Sequence, residues 1–154
     1  IELRAKLDTT NVEWLNDAGR FIYEYQARYH DALVYYTLGL RQALQQYGKN
    51  SVWSAVFCNN IGFIYYEQGD YPRALEYYEK SLSIYVSLFG DNHLYVATSY
   101  NNIGYVYYCR GDYPRALEYY TKTLKIRETI LGTEHPSTLE TKENIEFLKT
   151  RMDK

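Results

Sequence analysis

The chain reads as all-helical, an array of stacked helical hairpins, and two observations lead there. First, a ten-residue string, GDYPRALEYY, occurs at Gly69 to Tyr78 and again, unchanged, at Gly111 to Tyr120. A self-similarity of this period, 42 residues, marks a repeat architecture in place of one globular fold. Second, apolar residues inside each copy recur at helical spacing, as in Cys58, Ile61, Gly62 and Tyr65. NNIG precedes both copies, at Asn59 to Gly62 and Asn101 to Gly104, and Gly90 with His93 aligns with Gly132 and His135.

In chain order, the first twelve residues read as the tail of an earlier helix or an N-terminal cap. Frame one, 13–54, is a worn copy: Phe21, Ile22, Tyr23, Tyr29, Ala32, Leu33, Tyr35 and Tyr36 keep the pattern. Arg20 stands there at the position of Gly62, and Ala27 with Arg28 at that of Gly69 and Asp70. Frames 55–96 and 97–138 are the full copies. In each, the first helix is expected to stop at Gly69 or Gly111, where a glycine accepts the left-handed conformation cheaply. Asp70 is placed to cap the second helix, with Pro72 in the first turn, where a missing N–H costs nothing. A second stripe, Ala74, Leu75, Tyr78 and Leu82, then runs to a stop before Gly90. The remaining residues, 139–154, keep Asn144, Ile145 and Phe147 in phase but have Glu146 at the glycine position, and read as a capping helix. One hairpin cannot bury its apolar faces alone, so neighbours share a core.

Ile61 with Gly62, Tyr65, the Gly69 turn, Tyr71, Ala74 and Tyr78 resemble the tetratricopeptide repeat. The 42-residue spacing and the loop LGTEHP at Leu131 to Pro136, preceded by LKIRETI, are similar to the kinesin-light-chain type. The resemblance implies a right-handed superhelix, a solenoid forming a single domain over 1–154, whose first helices line a concave groove that binds peptides or protein segments.

The face left over on the first helices is the candidate site. It carries Val56, Asn59, Asn60, Phe63, Tyr66 and Glu67 in frame two, and Thr98, Asn101, Asn102, Tyr105, Tyr108 and Cys109 in frame three. Frame one supplies Trp14, Asp17, Ala18, Phe21, Glu24 and Tyr25, and the last helix Glu140, Glu143, Asn144, Phe147 and Arg151. An asparagine side chain both donates and accepts, so it matches a ligand's peptide unit. Groove asparagines serve that purpose in the family, and the resemblance carries this over to Asn60, Asn102 and Asn144. The aromatic rings offer flat apolar contact at low entropy cost. Tyr65, Tyr78, Tyr107 and Tyr120 fall in the core stripes instead. Acids Asp17, Glu24, Glu67, Glu140 and Glu143 are opposed only by Arg151. The Lys and Arg that would pair with a ligand's carboxylates are missing. A neutral or basic segment is therefore expected rather than an acidic one.

Other chemistries find little support. A net charge of -2 with scattered basic residues disfavours nucleic acid. No stretch approaches the roughly 20 apolar residues that span a bilayer. Cys58 and Cys109 match no disulfide framework or metal spacing, so a reducing, cytoplasmic setting is expected. His93 and His135 lie one repeat apart, too far to share an ion, and read as loop residues. No metal or cofactor site and no catalytic constellation is expected, and the chain is read as a protein-binding scaffold. Two alternatives remain: self-association through the array's ends, giving a homo-oligomer, and service as the regulatory arm of a larger protein. Ile1 in place of Met reads as the start of a piece of such a protein.

Overall fold

In the computed structural model, residues 9–26 and 28–152 are described. These contain seven helices and no strand: α1 Val12–Gln26, α2 Tyr29–Tyr47, α3 Val52–Glu67, α4 Tyr71–Phe89, α5 Leu94–Cys109, α6 Tyr113–Leu131 and α7 Pro136–Met152. The first eight residues and Ala27, on which two of the expectations fell, lie outside the described part. Val12 already belongs to α1. The Asn11 side chain caps that helix, its Oδ1 accepting from the Trp14 N–H at 3.0 Å, so residues 9–12 are a helix entry and not a helix tail.

The hairpins turn as their sequence requires. Gly69 has φ 75° and Gly111 φ 77°, a region that glycine alone enters without strain. This lets the N–H groups of Gly69 and Asp70 reach back to the carbonyls of Tyr66 and Tyr65, both at 2.9 Å, closing the helix end. The same two bonds recur from Gly111 to Tyr108 and Asp112 to Tyr107. Asp70 and Asp112 then accept from the N–H groups of Arg73 and Arg115 at 3.2 and 3.3 Å. At the α1–α2 turn Arg28 takes the cap position without a side-chain cap bond, its N–H reaching the Ile22 carbonyl at 3.5 Å and its guanidinium pairing with Asp31.

The chain divides into two compact units, Ile1–Ile84 and Tyr85–Lys154. In the first, α1 packs on α2 and α2 on α3. Leu15, Ala18, Ile22, Ala32, Phe57 and Ile64 are fully buried between them. In the second, α6 packs between α5 and α7, burying Ile103, Ala116, Ile126, Ile145 and Leu148.

A tyrosine seated on a glycine fixes each hairpin. A Cβ on Gly62 would meet the Tyr78 ring at 2.9 Å, and one on Gly104 would meet Tyr120 at 3.0 Å. In the first hairpin the seat is Gly19 under Tyr36, at 2.5 Å, so Arg20 does not replace the packing glycine; the glycine has moved one residue. A buried hydroxyl recurs as well. Ser81 donates to the Ala55 carbonyl at 2.9 Å and Thr123 to that of Ala97 at 3.2 Å, which is how these fully buried hydroxyls are satisfied. Gly39 occupies the corresponding place in α2, and the Phe57 ring fills the space a side chain there would need.

Burial raises the phenols of Tyr36, Tyr78 and Tyr120 above their ordinary 10.0, and pushes the Cys58 thiol up from 9.0 to about 11. A raised acid contributes stability that is complete below its unfolded value and lost as pH climbs toward the folded one. Urea midpoints are thus expected to hold steady through neutral pH, begin falling near pH 9 and fall more steeply above pH 10. A midpoint unchanged up to pH 11 would contradict this burial.

Candidate peptide-binding faces

In the first unit, the α1–α3 face is built around a side-chain amide pair. Asn60 Nδ2 donates to Asn16 Oδ1 at 2.9 Å, 44 residues away in sequence. Two turns further along, the Tyr23 ring meets Phe63 edge-on, with centroids 4.9 Å apart at 87°. Phe63 continues to Tyr66 at 6.4 Å, and Tyr66 to Tyr71 at 6.1 Å. Phe21 faces Tyr25 at 5.1 Å, on the side of α1 turned away from Tyr23. Glu67 Oε2 accepts from the Tyr29 hydroxyl at 3.5 Å. Burial, then Glu67, Tyr29 and Glu24, raise the Tyr23 phenol above its ordinary range.

In the second unit, the α5–α7 face repeats the aromatic row. Tyr105 lies over Tyr108 at 6.0 Å and 21°, Tyr108 faces Tyr113 at 6.0 Å, and Phe147 of α7 meets Tyr108 at 6.2 Å and 66°. With Tyr120, Asn144 and Leu148 these residues line a cleft of about 330 Å³. Tyr105 and Phe147 remain 44% and 43% exposed, large for aromatic side chains that a purely structural role would cover.

The remaining expected residues divide between face and core. Asn59, Asn60, Asn101 and Asn102 are all half-buried, and Asn59 and Asn102 both have partners within the chain. Asp17 is ion-paired with Arg20 at 3.3 Å, so Arg151 is not the sole cation opposing the acids. Ala18 is fully buried and belongs to the core, contrary to its expected place on the face. Tyr78, Tyr107 and Tyr120 are buried, while Tyr65 is half-buried beneath the Arg73 guanidinium, 4.4 Å from its ring centroid.

Asn16 and Tyr23 were missed because 42-residue phasing misplaces α1. Leu15, Ala18 and Gly19 have the spacing of Cys58, Ile61 and Gly62 but stand 43 residues before them, a signal present in the sequence. The histidines also have a task that the loop reading did not give them. His93 Nδ1 accepts from the Tyr95 N–H and His135 Nδ1 from the Ser137 N–H, each at 3.2 Å, so both serve as helix caps. Among the described residues no group of three or more His, Cys, Asp or Glu gathers to hold a metal ion, and no helix is long and apolar enough to cross a membrane.

Helical hairpins repeating along the chain, with amide and aromatic side chains on the first helices, define an all-helical repeat protein. The tetratricopeptide repeat family model matches residues 14–85 and 55–129, and the chain belongs to that family. Tetratricopeptide repeats generally mediate protein–protein interaction. Among solved structures, BtubC (BKLC) from P. vanneervenii is similar at 26% identity and a TM-score of 0.82, over 90% of this chain and 55% of that one. A Podosopora anserina putative kinesin light chain with nearly identical TPR-like repeats follows at 16% identity and a TM-score of 0.78, over 92% and 66%. The N-terminal domain of stress-induced protein-1 (STI-1) from C. elegans has 17% identity and a TM-score of 0.68, over 92% and 96%. The chain therefore spans between about half and two thirds of the length of the first two. No curated protein sequence matches it.

The amide pair gives a direct check on the first-unit face. Asn60→Ala is expected to cost roughly 0.5 to 1.5 kcal/mol of stability, and most of that cost should vanish in an Asn16→Ala background. Additive costs in a double-mutant cycle read by urea unfolding would show that the pair does not form.

Proposed function

We propose that this chain is a non-catalytic protein-interaction scaffold that binds a neutral or basic segment of a partner protein along its first-helix faces. One observation carries the reading: the same set of asparagine and aromatic side chains stands, 42 residues apart, on α3 and α5, only partly buried. Core packing does not require amides and phenols at those places. A ligand backbone does, because each carboxamide can donate and accept toward a peptide unit once its intramolecular partner is exchanged. Aromatic rows beside the amides supply apolar contact, and the carboxylates of Glu24, Glu67, Glu140 and Glu143 set the sign of the ligand's charge.

Carboxylates on the face repel an acidic segment and cannot form the paired bonds that arginine gives to one. The reading also places the chain in a reducing, cytoplasmic setting, in keeping with Cys58 and Cys109 not being joined in a disulfide. A second reading, self-association, is supported by the outer side of α2. There Val34, Leu44 and Tyr47 are 53%, 44% and 52% exposed. It assigns no task to the asparagines, which is why binding of a segment is preferred.

Two peptides with a shared Leu-Trp core, one flanked by lysines and the other by glutamates, separate the charge preferences when titrated calorimetrically into the chain. The lysine-flanked peptide should bind more tightly, and the Asn60→Ala/Asn102→Ala double variant should weaken it by roughly 1 to 3 kcal/mol. Tighter binding of the glutamate-flanked peptide, or an affinity unchanged in the double variant, would refute the proposal.

A further inference from the structure

The cleft between α5 and α7 has a more particular chemistry than an apolar slot. Its rings are tyrosines and a phenylalanine: Tyr105 and Tyr108 nearly parallel at 6.0 Å, and Phe147 set against Tyr108 at 66°. An aromatic face carries negative charge density and attracts a cation within about 6 Å of its centroid. Phe147 already does this within the chain, since the Arg151 guanidinium lies 5.0 Å from its centroid. The opposite side of the cleft is polar. Asn144 is half-buried, and its carboxamide makes no hydrogen bond with the other described residues. Glu140 sits one turn before it on the same helix.

Burial chiefly, and then Tyr105, Cys109, Tyr108 and Glu140, hold the Tyr120 phenol above its ordinary range, so its hydroxyl stays neutral; of these neighbours Glu140 alone is a carboxylate. Of the neighbouring cations, one is bound away from the cleft and one lies on a cleft ring. Arg127 donates through Nη1 to the Ser137 carbonyl and the Thr141 hydroxyl, both at 2.8 Å, feeling Glu140 only at longer range, and Arg151 covers Phe147.

Resting on the reading of the α5–α7 face as a peptide-binding surface, we infer that this cleft receives an arginine side chain of the bound segment. The guanidinium would slide between the rings of Tyr105, Tyr108 and Phe147 and direct its N–H groups at the Asn144 oxygen and the Glu140 carboxylate. Arginine fits better than lysine because its plane stacks on rings and its charge is weakly hydrated. An aliphatic side chain would instead desolvate the amide and the tyrosine hydroxyls without giving them partners. At about 330 Å³ the cleft falls at the lower end of the range of roughly 300 to 1,000 Å³ that holds small ligands.

The test uses the whole chain, isotopically labelled, and two capped pentapeptides, Gly-Ser-X-Ser-Gly, with X either arginine or its uncharged isostere citrulline. Amide shifts are followed by nuclear magnetic resonance at low salt. The arginine peptide should move resonances of α5 and α7, and bind at least ten times more tightly than the citrulline one. Phe147→Ala and Glu140→Gln, both at exposed positions, should each weaken it several-fold with thermal midpoints unchanged. Equal binding of the two peptides, or an arginine affinity indifferent to both variants, would overturn the arginine assignment and leave the face as a general peptide surface. Silence of both peptides would overturn it too, while the lysine-flanked and glutamate-flanked titration decides the wider reading on its own.

Discussion

Each hairpin depends on a ring lying where a side chain is missing. Tyr36, Tyr78 and Tyr120 occupy the second helices, and Gly19, Gly62 and Gly104 leave the space beneath them on the first. Close approach of the two helices follows, since no Cβ separates ring from backbone. The contact accounts for three of the 20 tyrosines, because the ring is copied with the repeat. A glycine inside a helix costs about 1 kcal/mol against alanine, and here packing offsets that cost three times over. Buried hydroxyls of Ser81 and Thr123 then tie the same helix pairs through the carbonyls of Ala55 and Ala97.

From that seat the surface follows. Once Gly62 and Ile61 face the second helix, helical geometry turns Asn60, Phe63 and Glu67 the other way. Position on the first helix thus decides chemistry: one side carries small and aliphatic residues for packing, and the opposite side carries amides, phenols and carboxylates. The α5–α7 cleft arises where Phe147 comes beside Tyr108, with the buried Tyr120 phenol held neutral at its floor.

Much of this was legible from the chain alone. GDYPRALEYY announces its own turn, cap and core tyrosine, and the bonds of Asp70 and Asp112 to the following helices realise that reading. The first hairpin was harder, because its turn lacks the Gly-Asp pair and α1 runs one residue out of phase. Fixed 42-residue phasing therefore placed Ala18 on the face and overlooked Gly19, Asn16 and Tyr23. Long-range pairing of Asn16 with Asn60 leaves no local pattern, and a histidine cap looks like any loop histidine until its Nδ1 is seen against an N–H. The pairing of Asp17 with Arg20, by contrast, is an i,i+3 neighbour that helical spacing alone makes legible.

The central claim is that the glycine–tyrosine seat, rather than helix propensity, holds the hairpins together. A double-mutant cycle on Gly19→Ala and Tyr36→Leu, read by urea unfolding, addresses it most directly, since a Cβ on Gly19 would meet the Tyr36 ring at 2.5 Å. Alanine alone should destabilise the chain by roughly 1 to 3 kcal/mol through overpacking, despite its better helix propensity. In the Tyr36→Leu background, with the ring gone, most of that penalty should disappear. Strictly additive effects, or a gain in stability from Gly19→Ala alone, would contradict the account.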